Sequence, residues 1–231
     1  MIYGFFSTFA DMKPASDNDF LHAWIAQGEH QQQDFKFEIS DARKIARSLS
    51  AFANTNGGRL LVGVKDNGRL AGIRSEEEQY MIEAAAERYC QPQVEYSCQT
   101  LHVEGKNILV VNIPETENKP VYAIDEEGRA MAYVRVKDEN ILATPVHLLM
   151  WREQERPTGE LTCYTEREQR LLQALTSADP HQEGLTLSRC SRASGIPRRL
   201  LVPLLARFIR YGLVEIGYAE QHFRFFSTHT P

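Results

Sequence analysis

Asp34, Lys36 and Glu38 alternate with Phe35, Phe37 and Ile39 in this 231-residue chain. A strand puts residues two apart on the same side, so acid, base and acid share one face and the apolar groups share the other. Such a pairing suits a reaction centre, and it equally suits an ion pair on a solvated strand. A second candidate is the run from Glu183 to Glu215, which holds Arg189, Arg192, Arg198, Arg199, Arg207 and Arg210 and no acid between its ends. Arginines without intervening acids suit phosphate contact, although a solvated helical surface shows the same pattern. A third is Asn54-Thr55-Asn56-Gly57-Gly58, whose backbone N–H groups could cradle a phosphate. That loop follows a helix, however, and the helix end nearest it is the negative one. Structure is the simpler use of Gly57-Gly58, a tight turn with room for a backbone or a nucleic-acid strand to pass closely. The seven histidines show no ligand-like pairing.

The elements that position these groups are legible from periodicity and punctuation. Ser16-Asp17-Asn18-Asp19 caps a helix from Phe20 to Gln27, and Gly28 ends it. Ser40 or Asp41 can cap the next helix, whose apolar stripe is Ile45, Leu49, Phe52 and Ala53. Leu60-Leu61-Val62-Gly63-Val64 is an uninterrupted apolar run, as expected of a strand buried on both faces, and Asp66-Asn67-Gly68 is a hairpin turn. A helix over 76–89 follows, with acids crowding its first turn. Hairpins turn at Glu104-Gly105 and at Glu126-Glu127-Gly128, and Thr144-Pro145 opens a helix to about Glu155. This predicts an α/β (α+β) first domain with a mixed sheet.

Charge divides the chain. Residues 1–156 carry 17 Lys+Arg against 24 Asp+Glu, whereas residues 157–231 carry 9 against 7 and contain no lysine. With Arg156-Pro157-Thr158-Gly159 as a linker, the expected domains are 1–156 and 157–231. The second reads as a small winged helix-turn-helix: helices over 165–175, 187–194 and 196–211, then strands over 213–216 and 222–226. Its third helix would turn Leu201, Leu205 and Phe208 inward and Arg199, Val202, Pro203, Ala206 and Ile209 outward. That mostly apolar outer stripe predicts packing against another subunit or against the first domain, so a homo-oligomer formed through this domain is one expectation. Cys90, Cys98, Cys163 and Cys190 have neither disulfide nor metal spacing and read as reduced thiols of a cytoplasmic protein. No segment has the length of a membrane span, and the apolar first ten residues lack the positive start of a signal peptide.

The stretch around Ala51-Phe52-Ala53-Asn54-Thr55, with Gly57-Gly58, resembles the Schlafen-type, Alba-like domain of prokaryotes. Further matching residues are Gly28-Glu29, Asp34-Phe35-Lys36, Leu60 to Val64, Asp66 with Gly68, Lys119-Pro120 and Tyr133-Val134-Arg135-Val136. The resemblance covers residues 17–145 and implies a nucleic-acid-binding module, sometimes labelled a divergent ATPase. No Gly-x-x-x-x-Gly-Lys-Ser/Thr motif is present, which excludes a P-loop ATPase. The resemblance also implies that Glu29, Asp34 and Asp66 occupy the places where some such domains keep three carboxylates that bind Mg²⁺ or Mn²⁺ and cleave RNA. A metal would activate water there, and Lys36 would stabilise the developing negative charge. Two departures bear on this: Asp34 stands where the family usually has Glu, and Lys65 stands where it often has an acid.

Two function classes follow. The first is a nucleic-acid-binding protein, a DNA-binding transcriptional regulator without catalysis and without a cofactor. It would contact its partner through Arg192, Arg198, Arg199, Arg207 and Arg210 and through Asn54, Thr55, Gly57 and Gly58. The second is a metal-dependent endoribonuclease using Glu29, Asp34, Lys36 and Asp66, with the winged helix as a docking or dimerisation module.

Overall fold

The computed structural model describes residues 17–153, 165–177 and 183–228. Helix α1 (Asp17–Gln27), strand β1 (Gln33–Lys36), helix α2 (Ala42–Asn54) and strand β2 (Gly58–Val62) come first. Helix α3 (Glu77–Arg88) and strands β3 (Cys90–Gln91), β4 (Ser97–Val103) and β5 (Lys106–Ile113) follow. Strands β6 (Tyr122–Ile124), β7 (Ala130–Val136) and β8 (Glu139–Leu142) lead to helix α4 (Pro145–Arg152). Of the two capping candidates for α2, Asp41 is the one used, its Oδ1 accepting from Arg43 N at 2.8 Å. Ser16, expected to open the first cap, lies outside the described residues.

Two sheets form. β1-β2-β5-β4 is mixed, with β1 parallel to β2 and the other pairs antiparallel. β3-β6-β7-β8 is antiparallel. The apolar run in β2 is buried on both sides as expected: Leu60 and Val62 join the cluster built by α2 and α3, while Leu61 joins Leu21 and Phe35 on the α1 side. The chain is therefore α+β in this region. The second sheet lies against the far side of α2, which explains why Ser48, Ser50 and Asn54 are buried as well as the predicted stripe. Its polar residues meet backbone: Ser50 Oγ donates to Val121 O at 2.9 Å and accepts from Tyr133 N at 3.1 Å. Beyond the turn at Asp66-Asn67-Gly68 the return is a single bridge, Val64 to Leu70, where a full hairpin was expected.

Helices α5 (Glu166–Ser177), α6 (Leu187–Ser194) and α7 (Arg198–Arg210) follow, with strands β9 (Leu185–Thr186), β10 (Val214–Ala219) and β11 (His222–Ser227). The strands pair antiparallel in the order β10-β11-β9. Leu201, Leu205 and Phe208 fill the core, as the register of α7 predicts. Val202 and Ile209, expected outward, are partly buried against it, and Ala206, also expected outward, lies in the core itself. α4 packs against α7 and inserts Val146 into the same cluster, with Leu149 and Met150 beside it. The apolar stripe thus has a partner within the chain. The expected division at residue 156 falls in the stretch 154–164, outside the described residues.

α4 also faces the second sheet, where Leu148, Trp151 and Phe223 pack on Ala132, Val134 and Ala143. His147 sits at this junction, its ring edge-on to Phe223 at 4.7 Å, and Nδ1 accepts from Thr144 N at 3.2 Å, which puts the ring proton on Nε2. Burial lowers its pKa to about 4 from 6.5. A depressed folded-state value means that the unfolded chain takes up the proton first. Stability contributed by the neutral ring is intact above pH 6.5 and is lost progressively as pH falls toward 4, by roughly 3 kcal/mol in all. Melting curves across that window should show this loss. His147→Gln, which keeps a side chain able to close the capping box, should flatten it.

Candidate functional site

Three of the four predicted catalytic residues meet at the end of β1. Glu29 Oε1 accepts from Phe35 N at 2.9 Å, which folds the segment after α1 back onto the strand. Burial raises the Glu29 pKa above the ordinary carboxylate value, and a hydrogen bond to Asp34 and its charge push the same way. The backbone bond from Phe35 and the charge of Lys36 act in the opposite direction. Lys36 Nζ lies 2.5 Å from Asp34 Oδ2 and donates to Phe35 O at 2.9 Å. Oδ2 makes no hydrogen bond of good geometry and is otherwise buried, so the ammonium is its compensation.

Asp34 was expected on a strand face where it could be solvated or bind metal, and it is 4 % exposed. Arg135, from β7, accounts for this. Its Nη2 donates to Asp34 Oδ1 at 3.1 Å and to Gln33 O at 3.2 Å, and its Nη1 donates to Asn140 Oδ1 at 2.9 Å. The guanidinium lies 5.0 Å from the centroid of the Phe52 ring. Arg135 is itself 2 % exposed. A carboxylate already facing a guanidinium and an ammonium has little left for a cation. Asp66 is exposed in the turn and does not join the other acids. Among the described residues no three His, Cys, Asp or Glu side chains are grouped so as to hold a metal ion. The triad Glu29, Asp34 and Asp66 expected to bind Mg²⁺ or Mn²⁺ is thus not assembled: an arginine occupies Asp34, and the β-turn carries Asp66 outward.

The loop after α2 also differs from expectation. Asn54 is buried, and its amide is spent on the second sheet. Nδ2 donates to Val121 O at 2.8 Å and to Tyr133 O at 3.0 Å, and Oδ1 accepts from Val121 N at 2.8 Å. Thr55 Oγ1 donates to Ala51 O at 2.7 Å and accepts from Arg135 N at 2.9 Å. Gly57 has φ +65°, and a Cβ there would lie 2.7 Å from Ile113 O. One on Gly58 would run into the Phe52 ring. Asn54, Thr55, Gly57 and Gly58 are therefore a joint between α2, β5 and β7. What passes close to the glycines is the chain's own backbone and core, in keeping with the structural use expected of Gly57-Gly58.

The arginine run divides in two. Arg189, Arg192, Arg198 and Arg199 are exposed. Arg198 Nη2 reaches Ser188 Oγ at 2.5 Å, so the starts of α6 and α7 adjoin. Arg189 and Arg192 are one turn apart on α6. Arg207 instead pairs with the buried Glu168 of α5, and Arg210 Nη1 donates to Glu153 O at 3.2 Å. Those two were expected at the phosphate surface and are partly committed to tertiary contacts.

The residue missed as part of the site is Arg135. A charged residue inside the apolar strand run Ala130-Met131-Ala132-Tyr133-Val134-Arg135-Val136 signals a buried cation that needs an anion. The sequence does not say which anion.

A profile of the family described as Schlafen, AlbA_2 matches residues 29–144, half of the chain. The chain belongs to this family. The match spans Glu29 to Thr144 and so takes in the Asp34–Arg135 pair, the α2 joint and both sheets of the Schlafen, AlbA_2 domain. Solved structures with similarity include a protein from Corynebacterium diphtheriae, at 19% identity and TM-score 0.42, covering 69% of this chain and 32% of that one. The chain thus spans about a third of that protein's length. Another is the N-terminal domain of a putative ATP-dependent DNA helicase RecG-related protein from Nitrosomonas europaea. It shows 23% identity and TM-score 0.39, covering 67% of this chain and 100% of that one. No curated protein matches.

Proposed function

We propose that this chain is a nucleic-acid-binding protein, a DNA-binding transcriptional regulator of the Schlafen type, acting without catalysis. The observation that carries this reading is the group of exposed arginines Arg189, Arg192, Arg198 and Arg199 where α6 meets α7. Residues 184–214 contain no acid to neutralise them. The order helix, strand, helix, helix and two strands over residues 166–227 supports reading this part as a winged helix-turn-helix domain. In that reading α7 is the third helix and the domain division lies near residue 156, with α4 bridging the two parts. The first turn of α7, with Arg198 and Arg199, faces the nucleic acid, while the later apolar residues serve the contact with α4. The pairing of Asp34 with Arg135 and Lys36 favours binding over cleavage.

The test is a titration of duplex DNA, single strands and structured RNA at several salt concentrations. Binding should weaken steeply with salt. The Arg192→Ala, Arg198→Ala, Arg199→Ala triple variant should lower the slope of log affinity against log salt by about one per arginine that touches phosphate. Absence of binding at low salt to all three substrates overturns the reading. Cleavage that starts on addition of Mn²⁺, and that is abolished by Asp34→Ala and by Asp66→Ala, overturns the non-catalytic part and establishes the nuclease instead.

A further inference from the structure

We propose that Phe37 is a stacking platform for an unpaired base of single-stranded nucleic acid, with Lys65 and Arg74 placed for the phosphates on either side. This deepens the nucleic-acid-binding reading and rests on it. Phe37 is the first residue beyond β1 and remains 42 % exposed, while Phe35, two residues earlier, is buried. Of the aromatic rings among the described residues, it alone has two cations over it: Lys65 Nζ stands 5.2 Å from its centroid and Arg74 Cζ 6.0 Å. An aromatic face bordered by cations is the arrangement that takes a base on the ring and a phosphate on each flank.

The supports of all three side chains are tied down. Lys36 O accepts from Gly63 N at 2.8 Å, which fixes the end of β1 against the segment that carries Lys65. Lys65 N donates to Arg69 O at 3.0 Å across the turn, and Ile73 N donates to Asn107 O at 2.7 Å just before Arg74. The side chains themselves lie at the surface. Arg74 is 74% exposed, and its carboxylate contact, Glu38 at 3.2 Å, is a surface pair. An incoming base can therefore displace it from the ring at little cost, because an exposed cation–π contact is weaker than a base–aromatic stack. A ring that projects from a strand end has access to a base that is unstacked, which a duplex does not offer.

The test measures anisotropy of fluorescein-labelled oligothymidylate, oligouridylate and a DNA duplex at low salt. Phe37→Ala should weaken single-strand binding about tenfold and leave duplex binding nearly unchanged, while Phe37→Tyr should keep the affinity. Tighter binding of one of the two oligonucleotides identifies DNA or RNA as the strand. Equal single-strand affinity of Phe37→Ala and the parent overturns the platform, and so does an equal loss in Phe37→Ala and Phe37→Tyr. In both cases the wider reading survives if the Arg192, Arg198, Arg199 variant still loses duplex affinity. No binding of any probe by the parent overturns the platform and the wider reading together.

Discussion

Arg135→Ala should lower the stability of the chain by about 3–5 kcal/mol, the cost of leaving a buried charge without its partner. Asp34 would keep the Lys36 ammonium on Oδ2 but face an empty space at Oδ1. Gln33 O and Asn140 Oδ1 would each lose a donor, and the Phe52 ring its cation. Such a change should move the melting temperature by on the order of 10 °C in a domain of this size. Arg135→Met combined with Asp34→Asn removes both charges and fills the space. It should recover much of the loss, since a buried ion pair is rarely more stable than a well-packed neutral replacement. If Arg135→Ala melts with the parent, the pair is solvated and the explanation for the loss of metal-binding character at Asp34 fails.

The second large effect belongs to Asn54. Asn54→Ala would orphan Val121 N and Tyr133 O inside the interface between α2 and the second sheet. Each unsatisfied buried group costs about 1–3 kcal/mol, so about 2–6 kcal/mol should be lost. Val121 O would be less affected, because Ser50 Oγ also reaches it. Measured well below its melting temperature, the variant should bind nucleic acid as the parent does. A selective loss of affinity with unchanged stability would return Asn54 to the binding surface, where its place in the loop that leads to Gly57-Gly58 put it by pattern alone.

Asn54 shows why the loop could be located but not interpreted. A glycine pair after an amphipathic helix marks a sharp helix end, because the requirement is local. Whether the neighbouring amide faces solvent or a second sheet depends on strands nearly seventy residues away. The same holds for the strand Asp34-Phe35-Lys36. Alternation predicts two faces, and it assigns the polar one to solvent only because nothing local contradicts that. The contradiction is supplied by Arg135, 101 residues on. The outer stripe of α7 was legible as a contact surface from Val202 and Ile209, but its occupant was open until α4 was seen against it.

By itself, the sequence determined the properties that depend on neighbours a few residues apart. These include the extent of α2 and α7, a cap for α2 at Ser40 or Asp41, the buried character of Leu60 to Val62, and the turn at Glu104-Gly105. It also carried the Schlafen-type resemblance, whose core residues sit in one short stretch. Only the tertiary structure decided which charges are free. It tied Asp34 to Arg135, Arg207 to Glu168 and Asn54 to the second sheet, and left Arg192, Arg198, Arg199, Lys65 and Arg74 at the surface. The physical reason is that desolvation falls on a polar side chain wherever distant elements close over it, and the partner that compensates it comes from those same elements.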